Sequence, residues 1–87
     1  MEKKSKLPEW VVLSVEPSSD YSLLVSFIDG SKKRVDMRPI VAQGKIFEPL
    51  KDLDFFMRAK PDGTSVAWSD EIDIAPEYLY ENGIDEN

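Results

Sequence analysis

The sequence contains no cysteine and no histidine. The first absence excludes disulfides, thiolate metal sites and a cysteine nucleophile. The second removes the commonest general base and the commonest metal ligand together. A Ser-His-Asp or Cys-His arrangement is therefore closed to this chain. Glycine is scarce as well. Gly30, Gly44, Gly63 and Gly83 stand far apart, so no glycine-rich loop is present to cradle a phosphate. Long apolar runs are missing too. The longest, Trp10-Val11-Val12-Leu13, has four residues, against the about 20 that a membrane-spanning helix requires. The opening Met1-Glu2-Lys3-Lys4-Ser5-Lys6 has charges but no apolar stretch behind it, so it does not read as a signal peptide. A cytoplasmic location is expected, and the lack of cysteine fits a reducing compartment.

What is present is one small domain's worth of chain, 87 residues with a net charge of −6. Such a length builds a modest core and no second domain. The charge is uneven. Residues 1–6 carry Lys3, Lys4 and Lys6 against Glu2, and residues 7–69 nearly balance. Residues 70–87 carry Asp70, Glu71, Asp73, Glu77, Glu81, Asp85 and Glu86 with no Lys or Arg. That end repels a phosphate backbone, which argues against nucleic-acid binding. It suits a basic protein partner, although acidic tails also serve plain solubility.

Residues 1–8 read as a flexible arm ending at Pro8, residues 9–81 as a single domain, and residues 82–87 as a frayed acidic tail. Trp10 to Glu16 reads as a strand, and Pro17-Ser18-Ser19-Asp20 as a turn. Tyr21 to Ile28 alternates, with Tyr21, Leu23, Val25 and Phe27 on one face. Asp29-Gly30 is a strong hairpin signal, because glycine accepts positive φ. The return strand, Lys32 to Met37, points Val35 and Met37 inward and leaves a basic outer edge open to pairing with a copy of itself. Pro39 to Gln43 reads as a helical turn capped by Gly44. Ile46 and Phe47 are expected to plug the core. Pro49 to Met57 reads as a second helix with Leu50, Leu53, Phe56 and Met57 on its apolar face. A turn at Lys60 to Gly63 separates a strand near Ala59 from one at Thr64 to Trp68. Asp70 to Ile74 is a polar loop anchored by Ile72 and Ile74, and Pro76 to Tyr80 a last helical turn. The order β-β-β-α-α-β-β-α predicts an α+β fold, a small, mostly antiparallel sheet packed with short helices.

Carboxylates are the only catalytic material left. Asp52 with Asp54, and Asp70, Glu71 and Asp73, are the candidates for acid chemistry or for Mg2+. Asp70 to Asp73 lacks the alternating acids and central glycine of a calcium loop. Such acids more often cap helices or face solvent. No catalytic residue, metal site or cofactor is therefore expected, and the chain is read as a non-enzyme. The nine aromatic residues mainly supply core. Phe55, Tyr78 and Tyr80 are the exceptions, as exposed aromatics beside acids resemble interface anchors. With Asp70, Glu71, Asp73 and Glu77 they form the candidate interaction surface.

Several motifs recur in a recognisable order. Residues 20–30 read Asp-Tyr-x-Leu-x-Val-x-Phe-x-Asp-Gly, followed by Val35-Asp36 and by Gly44-x-x-Phe47-x-Pro49-Leu50. Phe56 precedes Val66-x-Trp68, and Asp73-Ile74-x-Pro76-x-x-Leu79-Tyr80 closes the series. This pattern, from about Trp10 to Tyr80, resembles the bacterial family catalogued as domain of unknown function 2442. The resemblance implies a small α+β fold without an established activity. It also implies kinship with components of toxin–antitoxin pairs, in which this chain would be the acidic, antitoxin-like partner of a small basic protein. Some members of the family carry a helix-turn-helix domain after this one. Since this chain stops at Asn87, the second reading is a ligand-binding regulatory module without its DNA-binding half. The chain departs from the family at Asp70-Glu71-Ile72, where a glycine usually precedes the Asp-Ile pair. In the closing motif Asp73 is expected to accept backbone N–H bonds at the start of the last turn.

Overall fold

A computed structural model describes residues 9–43 and 45–86. The expected arm at residues 1–8 and the expected cap at Gly44 lie outside them. The fold class is α+β, but the strands form two small sheets rather than one. β1 (Val12–Pro17), β2 (Ser22–Phe27), β3 (Lys32–Asp36) and β7 (Ile84–Asp85) make a sheet in the order β1-β2-β3-β7. β4 (Lys60–Asp62), β5 (Ser65–Ser69) and β6 (Ile72–Ile74) make the other, in chain order. Every pairing is antiparallel. Between the sheets in sequence lie α1 (Arg38–Val41), a 3-10 turn (Glu48–Lys51) and α2 (Leu53–Phe56). α3 (Pro76–Asn82) precedes β7.

The β2–β3 hairpin forms as its alternation and its Asp29-Gly30 turn dictate. Gly30 has φ 91°, where a Cβ is disfavoured. Leu23, Val25, Phe27, Val35 and Met37 are buried on one face. Leu50, Phe56, Val66, Trp68, Ile72, Ile74 and Leu79 meet them from the helical segment, the second sheet and α3 in one continuous core. Phe56 is the hub. Its ring lies 5.0 Å from that of Tyr21 and 6.0 Å from that of Trp68. The Trp68 indole N–H donates to the Phe56 carbonyl at 2.9 Å. Tyr21 sits at φ 65°, a left-handed backbone costing a non-glycine residue about 1–2 kcal/mol. Its ring packing and the bond from its hydroxyl to the Lys51 carbonyl hold it there.

Several expectations are corrected. The helix expected over Pro49 to Met57 is broken at Asp52, whose backbone is extended (ψ 114°) and whose carboxylate caps the Asp54 N–H at 3.0 Å. The break resets the phase, so Leu53 and Phe56 turn inward and Met57 is left 43% exposed. Phe47 does pack on the core, but Ile46 is 70% exposed rather than a plug. Lys60 to Asp62 is a strand, with its turn moved on to Gly63 at φ 63°. Ile72–Ile74, expected as an anchored loop, is strand β6, with both isoleucines buried.

The largest correction concerns the acidic tail. α3 runs on to Asn82, and Ile84–Asp85 pairs with β3 instead of fraying. Asp85 pairs with Lys33 at 3.2 Å, Glu86 with Arg34 at 3.5 Å, and the Glu86 N–H donates to the Lys32 carbonyl. The edge of β3 expected to be open is thus covered from Lys32 to Arg34. Gly83 makes this possible. A Cβ there would lie 2.7 Å from the Lys33 Cβ, 2.9 Å from the Leu79 carbonyl oxygen and 3.2 Å from a Val35 methyl. Gly83→Ala should therefore destabilise the fold by about 1–3 kcal/mol, the usual cost of overpacking. The check is a lowered urea midpoint with an unchanged denaturant slope; an unchanged midpoint would contradict the close approach.

Candidate functional site

Two sets of carboxylates stand out, beside others such as Glu16, Glu48, Asp54 and Asp62 whose side chains also lack a partner among the described residues. Asp20, Asp29, Asp36 and Asp52 each accept the backbone N–H of the residue two positions on, at 2.8–3.1 Å. Short acidic side chains form such turns because their oxygens can stand in for a backbone carbonyl. These four acids each start a chain reversal or a helix. Asp20 also accepts the Ser22 hydroxyl at 2.6 Å, which leads the causes holding its carboxyl below the usual range. Asp36 takes a two-pronged contact from Arg38, at 3.0 and 2.8 Å, which lowers its pKa and raises that of the guanidinium.

The second set is Asp70, Glu71, Asp73, Glu77 and Glu81, ahead of the paired Asp85 and Glu86. At the β5–β6 turn the backbone N–H of Glu71 donates to the Ser69 hydroxyl, so the carboxylates of Asp70 and Glu71 are left out of the turn. Asp73 is exposed on β6, paired across to Ala67. It does not start the last helix. Ala75 occupies the cap position, without a side-chain hydrogen bond. Glu77 and Glu81 are exposed one turn apart on α3. Among the described residues none of these five carboxylates enters a hydrogen bond or ion pair, whereas Lys33, Arg34 and Arg38 are all engaged. No group of three acids among the described residues is placed to hold a metal ion.

The three aromatic candidates are half-buried against the core rather than exposed. Phe55 lies on α2 with Arg58 5.9 Å from its ring. Tyr78 and Tyr80 leave α3 on different sides. Tyr80 packs edge-on to Phe27 at 4.9 Å, lies under the Lys33 ammonium at 4.5 Å, and donates its hydroxyl to Asp29 at 2.6 Å. Sequence reasoning missed this link because 51 positions separate the partners. Asp29 falls to about 2, chiefly through the Ser31 hydroxyl and then Tyr80. Tyr80 rises to about 12, chiefly through Asp29.

Tyr78 faces a cleft of about 420 Å³ lined also by Ser22, Arg34, Arg38, Asn82 and Ile84. Arg34 donates to the Ser22 hydroxyl at 3.2 Å as well as pairing with Glu86. Both guanidinium groups are thus matched from within the chain. Asp20, held ionised, is a weak base toward Ser22. A shallower cleft of about 390 Å³ lies between Tyr21, Arg38, Val41, Ala42 and Lys51. Among the described residues no helix is long and apolar enough to cross a membrane.

These features define a small α+β domain in which Lys33, Arg34 and Arg38 are paired internally, while Asp70, Glu71, Asp73, Glu77 and Glu81 have no partner among the described residues. The chain belongs to the family described as protein of unknown function (DUF2442), whose model matches residues 12–85. No curated protein and no solved structure matches the chain.

The Asp29–Tyr80 bond should stabilise the fold only while Asp29 is ionised and Tyr80 protonated. A depressed carboxyl pKa contributes above its unfolded value, about 4, and loses that contribution as pH falls toward about 2. A raised phenol pKa loses its contribution as pH climbs from 10 toward about 12. Tyr80→Phe should therefore be less stable than the parent in neutral solution, with the gap closing at both extremes. Urea unfolding across pH measures this; a gap independent of pH would place the effect in packing alone.

Proposed function

We propose that this protein is a non-catalytic protein-interaction module whose acidic segment, Asp70 to Glu81, docks on a small basic protein, as an antitoxin docks on its toxin. The supporting observation is the division among carboxylates. The acids before Ser69 that form turns are committed to folding, whereas Asp70, Glu71, Asp73, Glu77 and Glu81 have no partner among the described residues. Unmatched like charges along one turn, strand and helix carry a cost in self-repulsion that a basic surface relieves. They also speed encounter with it. Tyr78 and Tyr80 brace α3 from beneath, so Glu77 and Glu81 stand on a fixed support.

The cleft at Arg34 and Arg38 favours a second reading, a regulatory module for a small ligand. Its guanidinium groups are already matched by Ser22, Asp36 and Glu86, which makes it the weaker of the two.

The test is affinity capture from the native host with the parent chain and with a variant carrying Asp70→Lys, Glu71→Lys, Asp73→Lys and Glu77→Lys. The parent is expected to retain a basic protein that high salt releases. The variant, with its circular dichroism unchanged, should lose that protein, its association slowed about tenfold or more. Equal capture by both chains, or none by either, would overturn the proposal.

A further inference from the structure

The first sheet has one covered face and one that is open from Leu24 to Ile28, its other end, at the buried Ser22, being bordered by Tyr78 and Asn82. Val15, Leu23, Val25, Phe27 and Val35 point into the core, so their neighbours in the alternation point away from it. Leu24, Ser26 and Ile28 run down the middle of the open face, and Ile28 is 39% exposed. Beside them, at the irregularity in β1, Leu13 is 59% exposed. Register places Glu16 next to Leu24 on the β1 side and Arg34 next to it on the β3 side. Lys32 stands one pair further along, beside Ser26. The open face is therefore an apolar strip with an acidic flank and a basic flank.

We propose that this face is a homodimer interface, occupied by a second copy related by a two-fold axis running along β2. Rotation about that axis lays β1 of one copy over β3 of the other. Each Glu16 then meets the Arg34 of the second copy, while Leu24 and Ile28 meet their own equivalents. The small Ser26 between them lets the sheets approach to the about 10 Å of face-to-face packing. A partner of uniform charge would satisfy one flank and oppose the other, whereas a second copy satisfies both. Arg34 donates to Ser22 and pairs with Glu86, and its side chain, 41% exposed, can reach Glu16 of the second copy beside them. Two routes to edge pairing are closed. β7 covers β3, and the edge strand β4 contains Pro61, which has no N–H to donate.

The strip is about 15 by 20 Å from strand spacing and rise, below the area of a stable interface, so the association is weak and transient. Sedimentation equilibrium between about 10 and 500 µM is the experiment, a window suited to interfaces of this size. The parent should pass from monomer to dimer across it. Glu16→Arg and Arg34→Glu should each weaken the dimer about tenfold, and the double variant should recover most of the loss. Ile28→Lys, at an exposed position, should abolish it and keeps the test decisive if Arg34→Glu disturbs β7. A monomer throughout would overturn the proposal. So would a dimer indifferent to Ile28→Lys and to the charge exchange. Of the acidic segment only Tyr78 borders this surface, across the cleft at Arg34, and none of its carboxylates lines that cleft, so the outcome is independent of the proposed partner.

Discussion

The hydrogen bond from the Trp68 indole to the Phe56 carbonyl joins the two halves of this domain. On one side is the four-residue helix α2, which is too short to persist alone. On the other is a three-stranded sheet with two strands of only three residues. Neither has a core of its own. Phe56 and Trp68 meet inside the common core, where an unpaired carbonyl or indole N–H would cost about 1–3 kcal/mol. Tyr21 closes the joint from the first sheet, holding a strained backbone in place through its ring. With no disulfide available, this aromatic cluster and the backbone bond from the Val12 N–H to the Thr64 carbonyl together make two small sheets one folding unit.

That joint gives the surface its meaning. The sheet it anchors carries Asp70, Glu71 and Asp73, and its last strand leads into α3 with Glu77 and Glu81. Tyr80, bonded to Asp29, fixes α3 to the β2–β3 hairpin. The same residue type does two kinds of work. Aspartates that accept the N–H two residues on shape the chain, while Asp70 and Asp73 leave their charge exposed. The proposed docking rests on that contrast, and a rigid support lowers the ordering cost of association.

Local chemistry made part of this legible in the sequence. The β2–β3 hairpin could be read from alternation plus Asp29-Gly30, and α3 from Pro76 with Leu79 behind it. The break at Asp52 could not, because Leu50, Leu53 and Met57 fit one continuous helical face as well as two short turns. β7 could not either: two residues show no alternation. Its pairing depends on the clearance at Gly83 and on charges at Lys33 and Arg34, fifty residues earlier in the chain. The candidate surface was legible only as charge. Composition located the acids after Ser69, but which acids were already committed to turns required the fold. Phe55, Tyr78 and Tyr80 read as exposed because helical spacing does not show what lies against a short helix.

Hydrogen exchange at the Trp68 indole N–H measures directly whether the two sheets share one cooperative core. The account predicts protection equal to that of the most protected amides of β2, such as Leu23 and Val25, so that exchange waits on global unfolding. Exchange through a separate, lower-energy opening, with β2 still protected, would contradict it. The second sheet would then be an independently opening unit rather than the fixed platform on which the acidic segment stands.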